Sequence, residues 1–554
     1  MGILGLLVPL AGFLAVILVL FLLSGFRYIP NNKIGIVEKR ISGRGSVKGG
    51  IIALNGEAGF QPSVLRGGLH YLMPVQYAVH VLPLVTIPQG KIGYVFARDG
   101  VPLQPSQALA SNEKADDFQD AAVFLRAGGQ RGPQRKILRE GTYAVHLAAF
   151  VVIAEERVYG LALEKSEEEL FRRMARLIAE REGFTPIVIK GQEDNVGIVT
   201  VHDGPSLPSG QIIAPTVGEN PAEAATYHNS FQDPEKFLAA GGMRGRQLQV
   251  LVEGTYYVNR LFATIELIPK TIVEVGNVGV VVSYTGEHGT DLSGSEYKHG
   301  ELVNTGMRGV WSEALMPGKY AFNTYAGKVA MVPTTNFILK WVRSESGAHK
   351  YDENLTEVSL ITKDAFEPSL PLSVVVHIDY RKAPLVIQRF GDIKRLVEQT
   401  LDPMVSAYFK NIGQTRTIIQ LIQDRSAIQQ QSSEQMKEKF AQYNLELQEV
   451  LIGTPSAAAG GSQIEQILTQ LRSRQIATEQ VETYSRQEVA AAKERELREA
   501  EQRARQQTAM TESELSIIVQ SNQGKADVAR AQQEAQRIQA LATAEAEKTR
   551  ILGE

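Results

Sequence analysis

Three regimes of hydrophobic patterning succeed one another along the chain, with a mixed stretch before the last. Residues 3–23, ILGLLVPLAGFLAVILVLFLL, carry no charge. A helix of that length reaches about 31 Å, close to the roughly 30 Å hydrocarbon core of a bilayer. No basic n-region precedes it, so the pattern predicts a retained membrane anchor rather than a signal peptide. From about 30 to 335, short β-branched runs separated by turn residues predict strands. In 462–554 the breakers are Gly524 and Gly553, there is no proline, and Ala, Gln, Glu and Arg dominate. That stretch predicts one polar helix about 140 Å long. Leucine heptads are absent and alanines fill many positions, which suits many helices packed side by side better than a two-stranded zipper. The final AEAEKTRILGE stops in mid-pattern, so a longer native helix is expected.

The β-rich region is an array of four repeats. The signature R-G-x5-L-x-[E/P]-G-x-Y-x2-[H/N] occurs with identical spacing at 131–146, 244–259 and 308–323. A degraded copy at 59–73 keeps Gly59, Leu65 and Gly68 in register and has His70 in place of the tyrosine. Each copy follows a second piece, KIGIV (33–37), KIGYV (91–95), NVGIV (195–199) or NVGVV (277–281). Such self-similarity marks a serial array. The V-G-I-V runs read as buried strands whose glycine marks a bulge or a close backbone approach. Gly68, Gly141, Gly254 and Gly318 sit where a turn needs φ > 0. Tyr143, Tyr256 and Tyr320 then open the next strand. These residues are read as architecture, not as a pocket. Arg131, Arg244 and Arg308 recur in one slot, where they either pair a carboxylate between neighbouring units or subunits or face solvent.

Two insertions predict helices. In 166–183, Ser166 reads as an N-cap with Glu169 completing a capping box, Leu170, Met174 and Leu177 form one face, and Gly183 is a stop. In 116–129, Phe118, Ala121, Ala122 and Leu125 fall together. Its counterpart at 233–242 places Pro234 at a first helical position. The Pro- and Gly-rich 203–223 predicts a loop. After Lys340, Leu372, Val374, Val376 and Ile378 share one face of a strand. Helices follow at 384–390, after Asp392 (with a break or a new first turn forced by Pro403) and over 417–443. A closing strand at 445–453 aligns Leu445 and Leu447 and, after a slip, Val450 and Ile452.

Composition and charge alter this picture little. The net charge of −3 over 554 residues gives no electrostatic case for nucleic acid. The absence of cysteine excludes disulfides, thiolate metal sites and cysteine nucleophiles. The nine histidines never fall at ligand spacing, and no phosphate-binding or nucleophile-elbow motif occurs. No catalytic, cofactor or metal site is expected. His70 and His146 read as surface or turn residues.

The segments TKDAF, SVVVHIDYRKAPLVIQRFGDIKRLVEQTLDPMVSAYFKNIG, IIQLIQDRSAIQ and FAQYNLELQEVLIGTP (within 360–455) resemble the shared part of the SPFH, or Band 7, superfamily of stomatins, prohibitins and flotillins. Thr362-Lys363-Asp364, Asp402-Pro403, Asp424-Arg425-Ser426 and the closing strand carry the likeness, which is strong over about 335–554. Residues 277–320 are similar to the family's first β-rich subdomain, and four such units resemble a large bacterial flotillin-like member. The resemblance implies an α+β fold. Its expected order is a transmembrane anchor (3–23), β repeats at 30–86 and 87–160, a helical insertion with a third repeat (161–270), a fourth repeat (271–335), an α+β domain (336–453), a hinge (454–461) and a coiled-coil helix (462–554).

What the resemblance implies for function is a non-enzymatic scaffold. Many copies would form a membrane-attached ring or cage that organises lipids or encloses a client membrane protein such as a protease. Arg27, Lys33, Lys39, Arg40, Arg44 and Lys48 follow the anchor, so the positive-inside rule expects the N-terminus outside and the bulk of the chain in the bacterial cytoplasm. An envelope transport adaptor with β modules and a helical stalk is the alternative. Such adaptors put a helical hairpin between halves of the β part, whereas this helix is terminal.

Overall fold

In the computed structural model, residues 4–113, 118–162, 164–294, 301–342, 351–457 and 462–551 are described. The fold is mixed α+β, with many small sheets and one long C-terminal helix. Contacts divide the chain into two compact units. The first is Met1–Val358, Leu370–Ile412 and Ile419–Thr454; the second is Ser359–Ser369, Gly413–Ile418 and Pro455–Glu554.

Helix α1 (Leu4–Leu23) has no charged residue along its 20 positions. The expected span 3–23 lies in part outside the described residues, as do the side chains before Gly12. Among the described residues no helix is long and apolar enough to cross a membrane.

Repeat 1 comprises β1 (Phe26–Ile29), β2 (Lys33–Lys39), β3 (Gly59–Leu65), β4 (Gly68–Tyr71) and β5 (Tyr77–Pro83). Repeat 2 comprises β6 (Val85–Ile87), β7 (Gly93–Ala97), α2 (Ala121–Arg126), β8 (Gly132–Leu138), β9 (Gly141–Tyr143), β10 (Phe150–Ile153) and β11 (Val158–Tyr159). After α3 (Lys165–Glu180), repeat 3 runs through β12 (Ile187–Ile189), β13 (Asn195–Val201), α4 (Pro234–Ala239), β14 (Gly245–Leu251), β15 (Gly254–Tyr256) and β16 (Ala263–Pro269). Repeat 4 holds β17 (Thr271–Val273), β18 (Asn277–Ser283), β19 (Leu302–Val303), β20 (Gly309–Trp311), β21 (Gly318–Tyr320) and β22 (Gly327–Pro333).

The four repeats share a three-stranded antiparallel core, to which repeats 2 and 4 each add an edge strand. The V-G-I-V strand is internal to each sheet: β3-β2-β5, β11-β10-β7-β8, β14-β13-β16 and β19-β20-β18-β22. A two-stranded ribbon accompanies each, pairing β1 with β4, β6 with β9, β12 with β15 and β17 with β21. The glycine of the V-G-I-V run is a close-approach site. A Cβ on Gly35 would lie 2.4 Å from Ile29 Cδ1, and one on Gly93 2.7 Å from Ile87 Cδ1. The ribbon's inward aliphatic side chain fills the space that a larger residue would occupy.

The insertions differ from the sequence expectation. Helix α2 is only six residues long and capped by Asp120, whose carboxylate accepts from the amides of Ala122 and Val123; the earlier part of 116–129 lies partly outside the described residues. Phe118 is instead fully buried with φ +58°. Helix α4 begins at Pro234, capped by Asp233. Helix α3 starts one residue before Ser166, which bonds Glu164 and caps nothing. Its buried stripe is Phe171, Met174, Ala175 and Ile178, leaving Leu170 and Leu177 exposed. Two apolar stripes overlap on this helix, and the one bearing the larger ring wins the core.

The α+β part of the first compact unit centres on β23 (Phe337–Trp341), β26 (Leu372–His377) and β27 (Glu446–Ile452), ordered β23-β26-β27. Strands β24 (Val358–Ser359), β25 (Pro368–Leu370) and β28 (Ser456–Ala457) are short. Leu372, Val374, Val376 and Ile378 are all buried. The slip in the closing strand is a register shift: Val450 faces Val374 and Leu447 faces Val376, leaving Gln448 as the extra residue. Helices α5 (Ala383–Phe390), α6 (Ile393–Leu396), α7 (Asp402–Thr415), α8 (Ile418–Gln423) and α9 (Arg425–Ala441) follow β26 in the chain. A π-helical turn over Val397–Leu401 precedes Pro403. It accommodates the ring without ending the helix, because a widened turn relieves the clash with the carbonyl four residues back. The expected 417–443 helix is divided at Asp424. In the second compact unit α10 (Ser462–Ile551) is one helix of 90 residues. The expected hinge at 454–461 contains β28, paired with Pro368 and Ser369, and residues 458–461 lie outside the described ones.

Candidate functional site

The recurring signature builds two devices: a turn lock inside each repeat and a joint between repeats. At the turn, Gly68, Gly141 and Gly254 have φ +137°, +148° and +157°, whereas Gly318 lies outside the left-handed range. The ring two residues on folds back over the glycine, so a Cβ on Gly254 would lie 3.1 Å from the Tyr256 ring. The phenol then donates to the carbonyl four residues earlier. Tyr143 bonds Arg139 O at 3.0 Å, Tyr256 bonds Val252 O at 2.9 Å and Tyr320 bonds Met316 O at 2.6 Å. In repeat 1, His70 Nε2 bonds Arg66 O at 2.8 Å in the same way. Burial and the nearby Glu253 both push the Tyr256 phenol above its usual pKa, which keeps it a donor. Tyr256→Phe is therefore expected to cost about 0.5–1.5 kcal/mol, read locally as faster hydrogen exchange of the β15 amides; unchanged exchange would remove the lock from the turn.

The joint begins at a bulge. In repeats 1 to 3 the strand after R-G (or Gly59) places three residues opposite one on the central strand, at 61–63, 134–136 and 247–249. Each bulge opens with a glutamine that sequence reading did not single out, although G-x-Q is visible at 59–61, 132–134 and 245–247. Its amide folds back onto two main-chain carbonyls, as Gln134 Nε2 does to Gln130 and Gly132. The glutamine's own carbonyl, released from the ladder, must find another donor. The [H/N] residue of the following repeat supplies it. His146 Nε2 bonds Gln61 O at 2.9 Å. Asn259 Nδ2 donates to Gln134 O at 3.1 Å and Arg135 O at 2.8 Å. Asn323 Nδ2 donates to Gln247 O at 2.9 Å.

All three staples are buried, which corrects the expectation of a surface or turn position for His146. Burial pushes its imidazole below the usual 6.5. Its Nδ1 accepts from Ala149 N, as Asn259 Oδ1 accepts from Leu261 N and Phe262 N. Histidine and asparagine thus perform the same two bonds in one slot.

The joint between repeats 2 and 3 has further parts. Arg135 donates from Nε to Asp203 at 2.8 Å and from Nη1 to Glu235 at 3.0 Å, with its side chain nearly inaccessible. Asp203 also accepts from Ala108 N, and Glu235 from Asn112 N. Tyr94, buried, donates to Gly183 O and accepts from Arg260 N; burial raises its phenol to about 12. Beside this joint, the Arg139 guanidinium lies 3.8 Å above the Tyr257 ring. Asn229, Ser230 and Phe231 follow one another with φ +48°, +57° and +64°. His228 holds that run by accepting from Phe231 N and bonding Val217 O.

Arg131, Arg244 and Arg308 are exposed, and among the described residues none forms an ion pair. Arg244 reaches Ser206. What recurs is their main chain: the amides bond Val101, Pro205 and Glu287 carbonyls, and the glycines that follow have φ +116°, +117° and +132°. Among the described residues no cluster of histidine and carboxylates could hold a metal ion.

The pieces that carry the family likeness are also structural. In the second compact unit Thr362 bonds Asp364, and Asp364 accepts from Ile418 N while Lys363 N donates to Arg416 O. Asp402 accepts the Trp341 indole at 2.7 Å. A comparison with curated proteins finds no match. A family described as SPFH domain / Band 7 family matches residues 240–548. The match begins inside repeat 3, earlier than the likeness read from the sequence, and takes in repeat 4, the α+β domain and nearly all of α10. Covering more than half of the chain, it makes this protein a member of the SPFH/Band 7 family.

Proposed function

We propose that this chain is a non-enzymatic scaffold. Many copies assemble into a ring or cage on the bacterial inner membrane, where they confine lipids or a client membrane protein such as a protease. Helix α1 is the single anchor, with the N-terminus outside and the rest of the chain cytoplasmic. Membership of a family of membrane-associated scaffolds supports this reading. The observation that carries it is the surface of α10. Every described side chain along this helix is exposed, among them Leu515, Ile517, Ile518 and Val519. At about 100° per residue these four spread over more than half of the circumference, with Ser516 on the remaining side, so no single buried stripe could cover them. Its ion pairs are i,i+4 contacts such as Glu494–Arg498 at 2.6 Å, worth only about 0.3–0.5 kcal/mol each. A helix of this length and polarity is stable when neighbours cover its flanks.

Native mass measurement and imaging of the detergent-extracted full chain test the proposal. A closed particle of many copies is expected. A monomer or dimer whose α10 remains helical by circular dichroism would rule it out.

A further inference from the structure

The four ribbons serve as internal controls for one another, and one of them differs. Equivalent rungs point away from the repeat cores and pair Tyr28 with Leu69, Thr86 with Thr142, Val188 with Thr255 and Ile272 with Lys319. All eight residues are exposed. Three rungs contain at least one polar partner, as a solvated face requires. The rung in repeat 1 instead pairs an aromatic ring with an aliphatic side chain, and that ribbon is also one pair longer. The added outward rung is Phe26 with Tyr71, rings 5.0 Å apart. Exposure is 46 % at Phe26, 68 % at Tyr28, 66 % at Leu69 and 47 % at Tyr71. Ile29, on the opposite face, is fully buried in the repeat. Repeat 1 therefore has an ordinary inner face and an aromatic outer one.

Position along the chain points to what covers this face. Only Ser24 and Gly25 separate β1 from the uncharged α1. Gly25 is itself buried against the ribbon: Leu72 N donates to Gly25 O at 2.9 Å, and a Cβ on Gly25 would lie 2.8 Å from the Tyr71 ring. The ribbon is thus fastened directly to the end of α1. Aromatic residues at the end of a membrane helix settle in the headgroup layer, where an apolar ring and a polar edge are both satisfied. The flanking stretch 24–50 carries Arg27, Lys33, Lys39, Arg40, Arg44 and Lys48 against Glu38 alone, a balance that favours an anionic leaflet.

We infer that the outer face of the β1–β4 ribbon, Phe26, Tyr28, Leu69 and Tyr71, lies on the lipid surface and gives the chain a membrane contact beyond α1. The inference rests on reading α1 as an anchor. The four residues lie outside the 240–548 family match. The contact holds repeat 1 flat against the bilayer and so fixes the direction in which the array leaves the membrane.

The chain has no cysteine, so single-cysteine variants can be labelled with an environment-sensitive fluorophore. Val16→Cys, Tyr28→Cys, Leu69→Cys, Thr86→Cys and Thr142→Cys, each in the full chain, are reconstituted into equimolar phosphatidylcholine–phosphatidylglycerol vesicles. Lipid spin-labelled at the headgroup is expected to quench positions 28 and 69 about twofold or more and to leave 86 and 142 unchanged. Lipid labelled near the chain end is expected to quench position 16. If 16 is quenched while 28 and 69 behave like 86 and 142, the inference fails and the anchor stands. If 16 is not quenched, the anchor reading fails, and quenching at 28 and 69 still decides the ribbon. Shielding of 28 and 69 in detergent particles without quenching by lipid assigns the face to a second copy and equally overturns the inference.

Discussion

Arg135→Ala is expected to destabilise repeats 2 and 3 by roughly 3–5 kcal/mol. The reason is what remains after the substitution. Asp203 has a fully inaccessible side chain and Glu235 a largely buried one. Without the guanidinium each keeps a single main-chain donor, from Ala108 and Asn112 respectively. Two carboxylates would then share a largely buried joint with no guanidinium between them, and removing one partner of a buried pair costs far more than the pair contributes. An exposed control sets the scale. Glu494→Ala breaks the α10 pair with Arg498, both of whose side chains are more than half exposed, and should change stability by less than about 0.5 kcal/mol. Because a chain of this size need not unfold in one step, the measurement is local: hydrogen exchange of β7, β8 and β13 amides in the full chain. A loss below about 1 kcal/mol at those amides would mean that water already reaches the joint.

Arg135 also marks where sequence reading stops. The other repeats have Pro62, Leu248 and Ser312 in its place, so no recurrence singles it out, and its partners lie 68 and 100 residues away. Features that repeat were legible. The V-G-I-V strands, the G-x-Y turns, the Pro234 helix start and the slip before Val450 all leave a periodic or local trace. The [H/N] position was legible as a position but not as a staple, because its function is completed by a carbonyl 85 residues back in His146 and 125 back in Asn259. Main-chain carbonyls have no sequence signature. The arginines of R-G left two readings open in the sequence, and in the chain they face solvent; what recurs there is a backbone conformation, for which the side chain is incidental. Helix α3 shows a third limit. Periodicity identified the helix, but only the surrounding sheet decides between two overlapping apolar stripes, and Phe171 packs on Phe96 with ring centroids 5.2 Å apart while Leu170 faces out.

Acidification is expected to loosen the joint between repeats 1 and 2 while the Asn259 and Asn323 staples hold, and His146→Asn is expected to reduce that sensitivity. The sign follows from the two ring nitrogens. Nε2 faces the Gln61 carbonyl and must carry the proton, and Nδ1 faces the Ala149 amide and must not. Protonation would set two N–H groups against each other in a buried site. Burial accordingly lowers the folded-state pKa below the usual 6.5. The bond to the Gln61 carbonyl and, more weakly, the charge of Asp120 pull the other way without reversing the shift. Since the folded state prefers the neutral ring, the stabilisation is complete above about 6.5. It falls as the pH drops towards the folded value, by at most about 1.4 kcal/mol per pH unit. His202 and His228 are also held low by burial, so acid weakens repeat 3 with the same sign and a global melting curve would mix the contributions. Hydrogen exchange of the amides of 61–65 and 146–153 isolates the joint. Asparagine makes the corresponding donor and acceptor bonds at 259, so His146→Asn should match the wild type at neutral pH and lose less at pH 5. His146→Ala should be weaker at every pH by about 1–3 kcal/mol, the cost of leaving the Gln61 carbonyl and Ala149 amide unpaired. An asparagine variant whose joint opens in acid as readily as the wild type would place the titrating group elsewhere.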